Sequence, residues 1–144
     1  VPTRGEHHES LPGEALVLRL VESSTGKVAP EAFILSTADK AQNPPLCSVF
    51  DSEQTTPEQA HRLMGEKPAY TAAGFLPVVG VRSLDSCLDV IWDHVADSRP
   101  GALGHCGIKG LEVPDTKAKR AQLRRKLADL ANEHARTGYF RAPA

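Results

Sequence analysis

Gly104-His105-Cys106-Gly107-Ile108-Lys109-Gly110-Leu111 is the stretch on which the reading of the fold turns. As a strand it puts His105, Gly107 and Lys109 on one side and Cys106 and Ile108 on the other, because successive side chains face opposite ways. One side is then polar and the other apolar. Gly104, Gly107 and Gly110 leave the backbone bare, which in a strand marks a bulge or a close approach by another backbone or a ligand. Pro114-Asp115 ends the strand, and Lys117 to Arg136 follows as an amphipathic helix with Leu123, Leu127, Leu130 and His134 on its inner stripe. Gly138 stops that helix, and residues 139–144 read as a frayed tail.

Upstream, residues 1–13 carry His7, His8, Pro2, Pro12 and Gly13 without pattern and read as a loose lead-in. Ala15 to Val21 reads as a strand in which Arg19 stands among apolar residues. Ala32-Phe33-Ile34-Leu35 and Leu46 to Phe50 read as two more strands. Thr56 caps a helix over Pro57–Met64, with Pro57 at its first position and Gln59 completing a capping box. Phe75 to Val81 reads as an edge or bent strand, given Pro77 and Gly80. Leu84, Cys87, Leu88, Ile91, Trp92 and Val95 recur at helical spacing, so a helix is favoured over residues 83–96; a turn at Ser86 followed by a strand is the other solution. These elements predict one α+β domain over residues 14–138, a small, largely antiparallel sheet covered by two or three helices.

The chain of 144 residues suffices for a single core without disulfide or metal. Cys47, Cys87 and Cys106 are odd in number and widely spaced, which suits free thiols in a reducing compartment, and a cytoplasmic location is expected. No apolar run approaches the roughly 18 residues of a membrane span. The cysteines with His94 and His105 lack a close ligand pair, so no metal or other cofactor is expected. An aromatic content of 5% disfavours a base-stacking surface.

Charge is divided unevenly. Residues 117–144 hold 8 Lys/Arg against 2 Asp/Glu, and residues 1–116 hold 9 against 16. Cations crowd the first half of the last helix, where the helix dipole does not favour them. The first functional expectation is therefore an interaction or regulatory domain that binds an acidic protein, or less readily a nucleic-acid backbone, through Lys117, Arg120, Arg124 and Arg125.

The second expectation is an enzyme. His105 and Lys109 project from one strand face, and with Arg19 or Arg82 nearby they could form a metal-independent RNase site. His105 and Cys106 point to opposite faces, so the histidine cannot serve that thiol as a base. The order of an early strand bearing Arg19, then Ile34-Leu35-Ser36, then Leu46-Cys47-Ser48-Val49-Phe50-Asp51 followed by Thr56-Pro57-Glu58-Gln59-Ala60 resembles the small ADP-ribosyltransferase-like toxin domains. The resemblance implies NAD as substrate and Arg19, Ser48 and His105 as the site residues. The chain departs from that family in lacking a Glu-x-Glu or Gln-x-Glu pair and an aromatic platform beside Ser48, Glu112 being a distant substitute. The two expectations separate on whether Arg19, Ser48 and His105 converge on one open cleft.

Overall fold

The computed structural model describes residues 9–23, 25, 27–93 and 97–133, with the backbone of 140–141. Its strands are β1 (Leu16–Val21), β2 (Leu46–Asp51), β3 (Ala72–Pro77), β4 (Asp89–Trp92), β5 (His105–Lys109) and β6 (Phe140–Arg141). Its helices are α1 (Thr37–Lys40), α2 (Pro57–Leu63), α3 (Val78–Leu84) and α4 (Lys117–Glu133), with 3-10 turns at Pro30–Phe33 and Ala102–Gly104. The strands form one antiparallel sheet in the order β4-β5-β2-β1-β3-β6. This is the α+β architecture expected.

The glycine-rich stretch is the interior strand β5, paired with both β4 and β2. Its apolar side, Cys106 and Ile108, is fully buried. Its glycines mark close approaches: a Cβ on Gly107 would lie 2.7 Å from that of Leu46, and one on Gly110 would lie 2.0 Å from the Cys87 carbonyl oxygen. Gly110 also has φ of 101°, a conformation L side chains resist.

The sheet is two ribbons joined by a narrow seam. β1 pairs with β3 from Leu16 opposite Pro77 to Val21 opposite Ala72, and β2 pairs with β5 from Leu46 opposite Lys109 to Phe50 opposite His105. Between β1 and β2 the register holds only at Val17 with Asp51 and Leu18 with Phe50. Continued, it would set Leu20 opposite Ser48, but there the strands part. Each face is closed by its own apolar cluster. Val17, Val49, Leu76, Val90 and Ile108 pack with Val78 and Val81 of α3 and with Leu123, Leu127, Ala128 and Ala131 of α4. On the other face Leu18, Leu20, Phe50, Ala73 and Phe75 pack with Ala60 of α2. Each such buried Val, Leu or Phe stabilises the fold by about 1.5–3 kcal/mol before conformational entropy is set against it.

Several elements differ from expectation. Ala32 to Leu35 is not a strand: Pro30 stands at the start of a 3-10 turn, Phe33 and Leu35 are buried, and Ser36 accepts a hydrogen bond from Asp39 N as the cap of α1. Phe75 to Val81 divides at Pro77, because Val78 and Val81, three apart, bury one side of α3. Residues 83–96 are not a helix. α3 ends at Leu84, the Asp85 carboxylate accepts from Cys87 N in a tight turn, and Val90 and Ile91 join the sheet. The capping box on α2 forms as read. α4 buries Leu123 and Leu127 and half-buries Leu130, while His134 lies outside the described residues. Of the lead-in, Glu9 to Leu11 runs along the outer edge of β4, with Leu11 N donating to Val90 O and Trp92 N to Glu9 O. At the other end Phe140 and Arg141 pair with Ala73 and Ala72.

Gly110→Ala is expected to destabilise the domain by about 3 kcal/mol or more, because it combines an unfavourable φ with a backbone clash. Urea unfolding monitored by the single tryptophan checks this, against Gly65→Ala, whose added Cβ has nothing within 4 Å despite its φ of 85°.

Candidate active site in the split of the sheet

Arg19 occupies the gap where the ribbons part. Its Nε donates to Ala32 O at 3.0 Å, and its Nη1 donates to Ser48 O at 2.6 Å. The guanidinium thus supplies Ser48 with a donor from β1 at the point where the backbone ladder has stopped. Both acceptors are neutral, and no carboxylate among the described residues forms an ion pair with Arg19. A half-buried arginine held only by carbonyls keeps its full charge for whatever enters beside it.

Across β2, Ser48 stands opposite Gly107, and its Oγ lies 3.3 Å from His105 Nε2. His105 is 8% exposed, and its Nδ1 lies 2.6 Å from the Asp93 carbonyl oxygen and 3.4 Å from the Asp93 carboxylate. A carbonyl oxygen can only accept, so Nδ1 carries the hydrogen. In the neutral ring Nε2 is then bare and accepts from the Ser48 hydroxyl. Phe50 meets the imidazole edge to face with centroids 5.3 Å apart, which holds the ring's plane. Backbone pairing fixes the rest, since Asp93 N donates to His105 O.

Arg19, Ser48 and His105 line a single cavity of about 520 Å³. One wall is the segment before and within α1, with Ser36 and Asp39; the other is the end of α2 and the loop beyond it, with Met64, Lys67 and Tyr70. Asp97 also lines the cavity. Its carboxylate is gripped by the Arg99 side chain and held well below the usual range, to about 2, by those hydrogen bonds, so it stays ionised at neutral pH. Arg19, Lys67, Asp39 and Asp97 thus line the same cavity as the apolar Phe50 and Leu63. The volume falls in the range of small-molecule and cofactor sites.

Other candidates lie elsewhere. Lys109 shares the face of His105 but is exposed beside Pro44 and Pro45, about 13 Å along the strand by its rise per residue. Arg82 is bound to the Asp89 carboxylate at 2.6 Å and to Leu11 O. Glu112 pairs with Lys40 at 3.7 Å. Cys106 lies under the sheet, away from His105. Burial pushes the Cys47 and Cys106 thiols upward, and Cys87 is raised as well by desolvation and by Asp85. His7, His8 and His94 lie outside the described residues, and among the described residues no three metal-ligating side chains cluster.

The basic helix presents a mixed face. Lys119 pairs with Asp115 at 3.1 Å, and Arg120 donates to Pro114 O at 2.7 Å, while Lys117 and Arg125 are exposed. Lys117, Arg120 and Arg124 join Lys40 and Glu112 around a separate cavity of about 290 Å³. Among the described residues no helix is long and apolar enough to cross a membrane. No family model, curated protein or solved structure matches the chain at a significant level.

At pH 8 an alkylating reagent is expected to modify half-buried Cys87 first, with Cys47 and Cys106 reacting only as the protein unfolds in denaturant. Their raised pKa values leave less thiolate than a free cysteine has at that pH, and their burial blocks access. Peptide mapping of the alkylated sites checks the order.

Proposed function

We propose that the chain is a small enzyme of the ADP-ribosyltransferase-like kind, taking NAD as substrate in the cleft between β1, β2 and β5. The observation that carries this reading is that Arg19, Ser48 and His105, far apart in sequence on the neighbouring strands β1, β2 and β5, line one cavity. The chemistry of the lining suits the ligand. A pyrophosphate complements the Arg19 and Lys67 charges, and the sugar that develops positive charge as nicotinamide departs complements Asp39 and Asp97. By order along the chain the resemblance gives His105 the part of the late polar residue, and its Nε2, bare in the neutral ring, can accept from a ribose hydroxyl or from Ser48. RNA cleavage ranks below NAD chemistry, because the second proton-transfer group it requires is not supplied by the distant Lys109. The free, protected thiols fit a reducing, cytoplasmic setting.

A second reading keeps α4 as a docking face for an acidic protein. It is favoured by the approach of Lys40 from α1 to Lys117, Arg120 and Arg124, which gathers cations from two elements. In this reading the Arg120/Arg124/Arg125 alanine triple loses a retained partner in a salt-sensitive way while remaining folded.

Incubation with NAD and quantification of released nicotinamide tests the first reading. The wild type is expected to turn NAD over; Arg19→Lys raises KM by about tenfold or more, and His105→Gln lowers kcat by about 10²–10⁴-fold. Circular dichroism establishes that the variants are folded. Absence of both nicotinamide release and NAD binding in the folded wild type overturns the reading, and cleavage of RNA in a parallel assay puts the RNase alternative in its place.

A further inference from the structure

The Asp93–His105–Ser48 chain has a direction. Nδ1 of His105 donates to the Asp93 carbonyl at 2.6 Å beside the Asp93 carboxylate at 3.4 Å, so Nε2 is the nitrogen that can take a proton, and the Ser48 hydroxyl oxygen is 3.3 Å from it. Asp93 is 1% exposed, and its main chain is tied to His105 on both sides of the residue pair. A hydroxyl, an imidazole and a buried carboxylate in this order form the arrangement that makes a serine nucleophilic. Ser48 is at the same time the residue whose carbonyl Arg19 holds, so its Cβ is anchored from one side while its Oγ faces the base on the other.

We infer that Ser48 is a nucleophile, that His105 is its general base, and that Asp93 is a positioning residue fixing the imidazole. For its electrophile the step rests on the NAD reading. Ser48 Oγ forms a bond to the anomeric carbon C1′ of the nicotinamide ribose as the C1′–N bond breaks. The bond's electron pair leaves with neutral nicotinamide, and the Ser48 proton passes to His105 Nε2 and on to solvent. Water then attacks C1′, giving its proton to Nε2, and His105 returns that proton to the departing Ser48 Oγ. ADP-ribose is released and the free serine restored. The carboxylate of Asp93 stabilises the imidazolium formed in each half.

Two probes test the inference. Wild type mixed with NAD, acid-quenched and digested, is expected to carry an ADP-ribosyl group on Ser48, and a fluorophosphonate is expected to label the same residue. His105→Gln loses both. Asp93→Asn, which removes the carboxylate charge but keeps the carbonyl that Nδ1 donates to, slows labelling by about tenfold or more and shifts its pH profile, while the ¹⁵N signature of the His105 ring keeps the Nδ1–H tautomer. Asp93→Glu, which keeps the charge, restores part of the rate if the Asn variant proves unstable. NAD turnover with no adduct and with full activity in Ser48→Ala overturns the nucleophile and leaves the NAD reading standing. Fluorophosphonate labelling that depends on His105, without any NAD turnover, upholds the nucleophile and sinks the NAD reading. A folded wild type that shows neither reaction overturns both.

Discussion

The guanidinium of Arg19 sits between two β-ribbons that would otherwise have to meet or part. With Nε on Ala32 O and Nη1 on Ser48 O it bridges the 3-10 turn and β2 from within β1. Hydrogen bonds from a charged donor contribute about 1.5–3 kcal/mol each, so the pair is comparable to burying one or two core side chains. The guanidinium takes the place of a backbone donor to Ser48 O where the β1–β2 ladder has stopped. The sheet therefore gains an opening in its middle without leaving the Ser48 carbonyl without a donor.

The opening decides where chemistry can occur. β2 and β5 remain fully paired on one side of the seam, so Ser48 and His105 are set by backbone register, not by a loop. Phe50 holds the imidazole plane, and Asp93, just past β4, fixes its tautomer. The cavity walls also carry Asp39 and Lys67, which come from the short helix α1 and the segment after α2. Placing the proposed reacting groups on paired strands is what precise site geometry requires.

Much of this was legible before any coordinates. Alternation around Gly107 identifies β5 and separates His105 from Cys106, and an arginine inside the apolar run 15–21 announces a charge that the fold must accommodate. The capping box of α2 and the leucine stripe of α4 are local signals, and they held. What the sequence hid is non-local or ambiguous in period. The seam depends on strand pairing between residues about thirty apart, and nothing in either segment records where the pairing stops. Val78 and Val81 are strand formers that a single helical turn buries instead. Asp93 was masked because residues 84–95 fit a helical stripe on which it would face solvent. The competing signal was the Asp-Ser turn at 85–86 followed by Val90 and Ile91, and sheet pairing outweighed the period.

The central claim is that Arg19 is held in the seam and offers its charge to an anion there. The most direct measurement is the ¹H–¹⁵N NMR signal of the Arg19 guanidinium, assigned through Arg19→Lys, with ADP-ribose added as the probe. The expected result is an Nε–H resonance protected from solvent exchange in the free protein, and a saturable shift as the diphosphate binds. A resonance that exchanges as freely as those of Arg125, or one that ADP-ribose leaves unmoved at concentrations that saturate other cleft residues, would contradict it.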